Sequence, residues 1–473
     1  MDWLSFALEG AVVLGCILMG TRVGGVGVGL WGGVGVAILV FVFRERPGEP
    51  PAAAVAIILA VVTAAALMQA SGGIDWMVKV AARIIERHPK RITIVAPLTA
   101  FAFSIGAGTS NILYPLMPVI YDVSYRNGIR PSRPMSVAVV QSGVALAASP
   151  VSAAMAAMLT LTDVAPYNFG LNQILAITLP SCIVGIIVTS MVVSRMGADL
   201  EDDEEVQAKI AAGLLPPIGV AAAVPASLPG VAGGSGGGSL DDVPEVTPVS
   251  ATLTATKEGR NAAMVFLTGV VVIVMFGLFP DLRPSFVVEG KSTTLDMTST
   301  IVIVMLVVGA IIAFVGKPEV KSVPDQSVFK AGMIAAIALF GIAWMTATFI
   351  DANEALIIDT VGGWINDWRF MFAVSVFVVA ALTTSQSTAT RTMVPIGLAV
   401  GLPPALVTGM WAGAVGGVYS LPTGGPQIAG ANFDLSGTTK LGTKLVDHSY
   451  FVPMLVMSVT TVLVGSLIGV VFF

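Results

Sequence analysis

The chain has 473 residues, 55% of them hydrophobic and 11% charged, with a mean hydropathy of +0.89. A soluble domain carries about 25% charged residues, so this composition excludes a soluble fold and describes a membrane protein. The net charge of -5 is spread over loops with no basic patch, which excludes a nucleic-acid partner.

In chain order, apolar runs stand near 3–20, 23–43, 52–70, 134–162 and 171–195, then near 263–279, 298–315, 327–350, 403–431 and 449–472. Each approaches the ~20 residues needed to cross a hydrocarbon core. The first has no basic leader and no small-residue cleavage site, and reads as a retained helix. Cys16 and Cys182 lie inside apolar runs and read as small buried hydrophobes, with no CxxC pair. His88 and His448 fall between runs, as structural or solvated residues. Between the halves, 196–260 opens with Glu201-Asp202-Asp203-Glu204-Glu205 and contains Gly233-Gly234-Ser235-Gly236-Gly237-Gly238-Ser239. That composition reads as a flexible linker.

Two further apolar regions, 92–124 and 369–400, are interrupted near their middles by small polar residues. The pieces 92–107 and 112–124 are short for crossings, so length favours a re-entrant hairpin with its tip at Gly106-Ala107-Gly108-Thr109-Ser110-Asn111. Irregular backbone at membrane depth survives only inside protein or beside a water-filled cavity. Each hairpin follows an amphipathic stretch: Ile74, Met77, Val78, Ala81, Ile84 and Ile85, then Leu356, Ile357, Ile358, Val361, Trp364 and Ile365. Ser110 and Pro118 align with Ser387 and Pro395, Gly128 and Pro131 with Gly401 and Pro404, and Pro150 with Pro422. Five crossings separate the hairpins, and an odd number inverts the second copy. The expected fold is therefore an all-α polytopic membrane protein of two inverted repeats, 1–195 and 261–473, joined by a cytoplasmic linker at 196–260. Each repeat holds a re-entrant hairpin and a discontinuous helix, the sequence signature of a secondary transporter. Of 24 Lys and Arg, 18 fall on the linker's side and 5 on the other, which puts the linker in the cytoplasm and both termini outside.

The discontinuous helices break at Ala148-Ser149-Pro150-Val151-Ser152 and Leu421-Pro422-Thr423-Gly424-Gly425-Pro426. Proline removes a backbone donor and glycine permits unwinding. Two tips and two breaks would converge near the midplane, where half-helix N-termini offer N–H groups to a carboxylate. The candidate substrate-binding residues are Thr109, Ser110, Asn111, Ser149, Pro150, Ser152, Ser385, Gln386, Ser387, Thr388, Arg391, Pro422, Thr423, Gly424 and Gly425. For any one of these, ordinary packing or a kink is the plain alternative. Arg391 either pairs with a substrate carboxylate or extends outward to the surface. Glu9 and Asp122 are the nearest to deep carboxylates, which leaves a proton relay with little support. No nucleophile elbow, P-loop or zinc-spacing motif occurs, so no enzyme activity and no cofactor are expected, and a metal is left undecided.

The segments GAGTSNILYPLMPVIYDV, NGIRPSRPMS, ASPVSAAMAAM, TSQSTATRTMVPIGLAVGL and DLSGTTKLGTKLVDHSYFVPM resemble the anaerobic C4-dicarboxylate transporter (Dcu) family of bacteria. So do QASGGIDWMVKVAARIIERHPKRITIVAPL and KAGMIAAIALFGIAWM. DLRPSF at 281–286 is similar to the branch that exchanges fumarate and succinate. The resemblance runs along the chain outside the linker. It implies antiport of fumarate, malate or aspartate against succinate across the inner membrane, without ATP. It also implies an ion-transporter-like fold with Ser-Asn-Thr tips, which Thr109, Ser110 and Asn111 match, whereas Ser385-Gln386-Ser387-Thr388 lacks the Asn. The partners are then C4-dicarboxylates, the lipid bilayer and, as an open option, a second copy in a homodimer. The competing readings are a sodium- or proton-coupled symporter of another small anion and a membrane sensor whose linker binds a partner.

Overall fold

The computed structural model describes residues 3–23, 25–219, 255–288, 291–422, 424–442 and 446–473. The first half contains α1 (Trp3–Val23), α2 (Gly27–Ala37, widening to a π turn at Ile38–Val42), α3 (Ala52–Ala70), α4 (Gly73–Glu86) and α5 (Ile92–Ala107). It continues with α6 (Leu113–Arg126), α7 (Ser132–Ala147), α8 (Ala153–Thr162), α9 (Leu171–Val193) and α10 (Glu204–Ala211). The second half has α11 (Lys257–Leu278), strands β1 (Ser285–Val288) and β2 (Lys291–Thr294), α12 (Met297–Val315), α13 (Ser327–Asp367) and α14 (Met371–Thr383). It ends with α15 (Gln386–Ala399), α16 (Pro404–Ala414, tightening to a 3-10 turn at Val415–Tyr419), α17 (Gly425–Phe433) and α18 (Phe451–Phe472). The two strands form one antiparallel hairpin with Ser285 opposite Thr294.

Among the described residues, eight helices are long and apolar enough to cross a membrane. One is α5 with its preceding turn, Pro89–Ala107, at 19 residues. Length therefore does not mark the first hairpin, contrary to the sequence expectation. The second hairpin keeps a short arm, α14. The span expected at 327–350 and the amphipathic stretch at 354–368 are a single 41-residue helix, α13. Asp351-Ala352-Asn353-Glu354 holds no Gly or Pro to end it. On α4, Ile74, Met77, Val78, Ala81 and Ile85 are buried as the helical spacing requires, while Ile84, expected with them, is exposed at the stripe's edge.

The stretch 196–219, expected as flexible linker, is folded. Asp203 caps α10 by accepting from the Glu205 and Val206 N–H groups, and Leu200, Val206 and Leu215 are buried. Its acids pair with bases on α7 and on two loops: Asp199 with Arg133 of α7 at 2.6 Å, Asp203 with Arg130 of the loop before it, and Glu205 with Lys440 of the loop after Phe433 at 2.8 Å. An acidic run looks unfoldable from composition alone, and the basic residues that neutralise it come from distant parts of the chain. The Gly/Ser tract at 233–239 lies outside the described residues.

Apolar lipid gives no hydrophobic drive between helices, so close approach through small residues holds them together. A Cβ on Gly341 of α13 would stand 1.9 Å from the Gly29 carbonyl oxygen of α2, and one on Gly32 would stand 2.3 Å from the Gly341 carbonyl carbon. Gly409 of α16 meets Gly465 of α18 in the same way. Around the first contact, Val13, Cys16, Ile17, Leu39, Ile342 and Met345 form a core separate from the main one. Helices α1–α3 and α11–α13 pack mainly on one another. The broken helices α7 and α16 pack on α9 and α18, the hairpin arms α5, α6, α14 and α15 pack on those broken helices, and α3 and α13 face α8 and α15 across the seam.

Helix boundaries recur between the halves. Pro404 follows Ser132, Tyr419 follows Ala147 and Gly425 follows Ala153 by the same 272 residues, and Gly128 and Gly401 both have positive φ.

Candidate functional site

The first tip forms because α5 ends at Gly108, whose φ of +66° suits glycine. A Cβ there would stand 2.7 Å from the Val151 carbonyl oxygen, so the tip rests directly on the break between α7 and α8. Thr109 then turns extended, and its hydroxyl accepts from the Asn111 N–H at 3.2 Å. Ser149 donates its hydroxyl to the Ile105 carbonyl at 2.7 Å, serving a C-terminal carbonyl of α5. Ser152 caps α8: it accepts from the Met155 N–H at 3.0 Å and donates to the Leu146 carbonyl freed at the end of α7. At the second tip Thr384 takes φ +49°, and the Ser385 hydroxyl accepts from the Thr388 N–H at 3.2 Å and the Thr388 hydroxyl at 2.9 Å.

A cavity of about 260 Å³ joins these pieces. Gly108 to Asn111, Val151 to Ala154 and Thr384 to Ser387 line it, and the middle of α3 and the start of α13 wall it. Thr109, Ser152 and Ser385 are the N-caps of three helical segments, beginning at Ser110, Ala153 and Gln386. Three positive helix ends therefore meet at one small space. Ser110, Asn111, Gln386 and Ser387 are half-buried on its wall, whereas Thr388 is buried behind the tip. Pro150 is buried at the break and does not line the cavity.

The second break is elsewhere. Pro422, Gly424 and Gly425 do not line this cavity, against the expectation that four breaks converge, and Thr423 lies outside the described residues. A Cβ on Gly425 would stand 2.7 Å from the Tyr114 hydroxyl of α6. Gly424 donates its N–H to Gln427 Oε1 at 3.1 Å, and the Gln427 amide donates to the Tyr419 carbonyl at 3.1 Å. The Tyr419 hydroxyl lies 2.6 Å from that of Ser142, tying this break to α7. Tyr114, Gln427 and Tyr419 went unnoticed in the sequence, where an isolated Tyr or Gln in an apolar run carries no distinguishing pattern. His448, expected in a loop, is buried with Nε2 3.1 Å from the Ser420 carbonyl oxygen.

Arg391 does not reach outward. It is 3% exposed on α15, and none of its three guanidinium nitrogens has a hydrogen-bond partner among the described residues. It lines a second cavity of about 560 Å³ with Pro395, Thr160 of α8, and Glu49 and Asp351. Ser387, Arg391 and Pro395 recur every four residues, so they share one face of α15. Ser387 lines the first cavity and the other two line the second. The same four helices, α3, α8, α13 and α15, line both cavities, the second nearer the end that bears Glu49 and Asp351. Of the carboxylates marked in the sequence, Glu9 is buried and accepts from Asn353 Nδ2 at 2.6 Å and from Ser5 at 2.9 Å. Asp122 pairs with Arg126.

Residues 5–473 match the family model described as anaerobic C4-dicarboxylate membrane transporter. Among similar proteins, the anaerobic C4-dicarboxylate transporter DcuB of Escherichia coli O6:H1 is 34% identical, with 95% of both chains covered. The C4-dicarboxylate transporter DcuA of Escherichia coli K12 is 30% identical, with 98% of both covered. That of Wolinella succinogenes is 28% identical over 97% of this chain and 98% of its own. Two solved structures share the fold at a TM-score of 0.50. The YdaH transporter of Alcanivorax borkumensis, 14% identical, covers 88% of this chain and 84% of its own, and MtrF of Neisseria gonorrhoeae, 10% identical, covers 88% and 80%.

Proposed function

Because the chain belongs to the anaerobic C4-dicarboxylate membrane transporter family, we propose that it exchanges fumarate, malate, aspartate and succinate across the bacterial inner membrane by alternating access. It is a multi-pass secondary transporter of C4-dicarboxylates, with a transport role in place of catalysis. The observation that supports a dianion site is the meeting of three helix N-termini, capped by Thr109, Ser152 and Ser385, at one cavity beside Arg391.

In this reading one carboxylate sits at the tips, where backbone N–H groups beyond those taken by the capping hydroxyls face it together with Ser110, Asn111, Gln386 and Ser387. The other reaches Arg391, one helical turn or about 6 Å along α15. The outer oxygens of an extended four-carbon diacid span a comparable distance, so a monoacid or a shorter diacid satisfies only one end. Arg391 then gains the partner its burial calls for, since an unpaired buried charge is costly. The recurrence of helix boundaries at 272 residues supports two repeats, and the odd number of crossings between the hairpins supports their inversion. On that symmetry the second cavity is the external vestibule and both termini lie outside.

Counterflow in proteoliposomes tests the site. Arg391→Gln is expected to raise KM for succinate roughly 10- to 100-fold, as a charge-assisted hydrogen bond contributes about 1.5–3 kcal/mol. An unchanged KM in a folded variant overturns the assignment.

A further inference from the structure

We propose that the cleft between α4 and α11 is a binding site for the phosphate of an anionic phospholipid headgroup. Lys79 and Arg83, one turn apart on α4, and Lys257 and Arg260, in the first turn of α11, line a cavity of about 250 Å³ with Trp76 and Thr256. Among the described residues no acidic side chain lines it. Two elements separated by more than 170 residues of chain thus bring four cations to one place. The meeting is built into the backbone. Gly72, at φ +79°, lets the chain turn from α3 into α4, and a Cβ on Gly259 would stand 2.5 Å from the Gly72 carbonyl oxygen. No larger residue at 259 allows the first turn of α11 to approach so closely. Thr256 caps α11 by accepting from the Gly259 N–H at 3.0 Å, which leaves other first-turn N–H groups for an anion.

The surroundings favour a lipid source of the phosphate. α11 is long and apolar enough to cross a membrane, so its first turn marks the membrane surface. α4 buries one face in the protein and carries Lys79 and Arg83 on its other side, with Arg87 just past its end, the pattern of a helix lying in the interface. Trp76 is half-buried at the rim, where indole rings settle at headgroup depth. Basic clefts at helix ends are suited to acidic headgroups, and each cation near the surface strengthens binding about fivefold. Asp75 and Glu258 are nearby, both exposed and outside the cavity wall.

Thermal unfolding of the purified full chain in detergent tests this, with phosphatidylglycerol, phosphatidylcholine or inorganic phosphate added. Phosphatidylglycerol is expected to raise Tm. The Arg83→Gln/Arg260→Gln variant should need about 30-fold more of it for the same rise, with counterflow of succinate unchanged. Should the double variant fail to fold, Lys257→Gln alone should shift the titration about fivefold. An equal response to phosphatidylcholine, or no difference between wild type and variant, overturns the proposal. A full effect from inorganic phosphate at the same concentration makes this a free-phosphate site and overturns the lipid. If neutralising the adjacent acids that precede α11 in the sequence, Asp241→Asn/Asp242→Asn, shifts Tm in the absence of lipid and Arg83→Gln/Arg260→Gln abolishes that shift, those acids fill the cleft and the proposal falls.

Discussion

Ser149 and Asn111 are both candidate substrate-binding residues by sequence, and the structure gives them different surroundings. Ser149 is fully buried and spends its hydroxyl on the Ile105 carbonyl at 2.7 Å, so Ser149→Ala removes the shorter of that carbonyl's two hydrogen bonds and leaves the Gly108 N–H at 3.4 Å. Losing one such bond costs about 0.5–1.5 kcal/mol, and the expected outcome is a lowered Tm. A variant with native Tm and a raised KM would return Ser149 to the substrate. Asn111 is half-buried on the cavity wall, so Asn111→Leu should keep its Tm and lose uptake. Full uptake by the folded variant removes Asn111 from the site. Arg391 follows a third pattern. It is buried without a partner among the described residues, so Arg391→Gln relieves desolvation and should leave Tm equal or higher while diacid affinity falls. All three types sit in polar interruptions of apolar runs, and the sequence cannot say which hydroxyl serves a backbone carbonyl and which faces open space.

At the scale of elements, the α2–α13 contact rests on atoms that cannot move apart. Gly32→Ala puts a methyl 2.3 Å from a backbone carbon, whereas Gly33, one residue on, has nothing within 4 Å of the same position. Overpacking of this kind costs about 1–3 kcal/mol. Thermal denaturation should show Gly32→Ala destabilised and Gly33→Ala near wild type, and equal stability of the two would dismiss the contact. The segment around α10 makes a different prediction, through charge. Burial pushes the Asp203 carboxyl up, but hydrogen bonds from Arg130 and the Val206 N–H outweigh it and hold it below the usual carboxylate range. Hydrogen bonds from Lys440 and then Lys209 hold Glu205 low. Unfolded Asp and Glu titrate near pH 4, so this pairing contributes fully above about pH 4 and is lost as pH falls through the lower folded values. Glu205 is exposed and its share is screened by salt. Hydrogen exchange over 199–211 should therefore stay slow at neutral pH and quicken below about pH 4, more so in high salt. Exchange that is fast at pH 7 would show that this segment does not dock.

For the whole molecule the issue is how a charge of about -2 crosses a layer of low dielectric. The groups that compensate it here are helix N-termini and one arginine, while Glu9 is occupied by Asn353 and Ser5 and lines neither cavity. Obligatory one-for-one exchange of dianions moves no net charge and needs no titratable relay. Exchange in proteoliposomes should then persist when a protonophore collapses the pH gradient and choline replaces sodium. Loss of exchange on removing sodium would place a cation at the tips and favour symport. For orientation, a cysteine at Ser235 should be shielded from impermeant thiol reagents in intact cells and one at Thr293 labelled, and the opposite pattern inverts the topology.

By itself the sequence determined the membrane class, the places where polar residues interrupt the two apolar regions, and the family. Those depend on local quantities: apolar length, and Gly, Pro and Ser at fixed spacing. Only the tertiary structure decided that the Ser110, Ala153 and Gln386 helix ends share one cavity while the Pro422 break packs against Tyr114. It alone set Arg391 one turn away in a second cavity. It also turned the acidic run at 201–205 from apparent linker into a docked helix. The reason is the same in each case: the partner that fixes a polar group's role lies dozens to hundreds of residues away, and no periodicity in the chain records it.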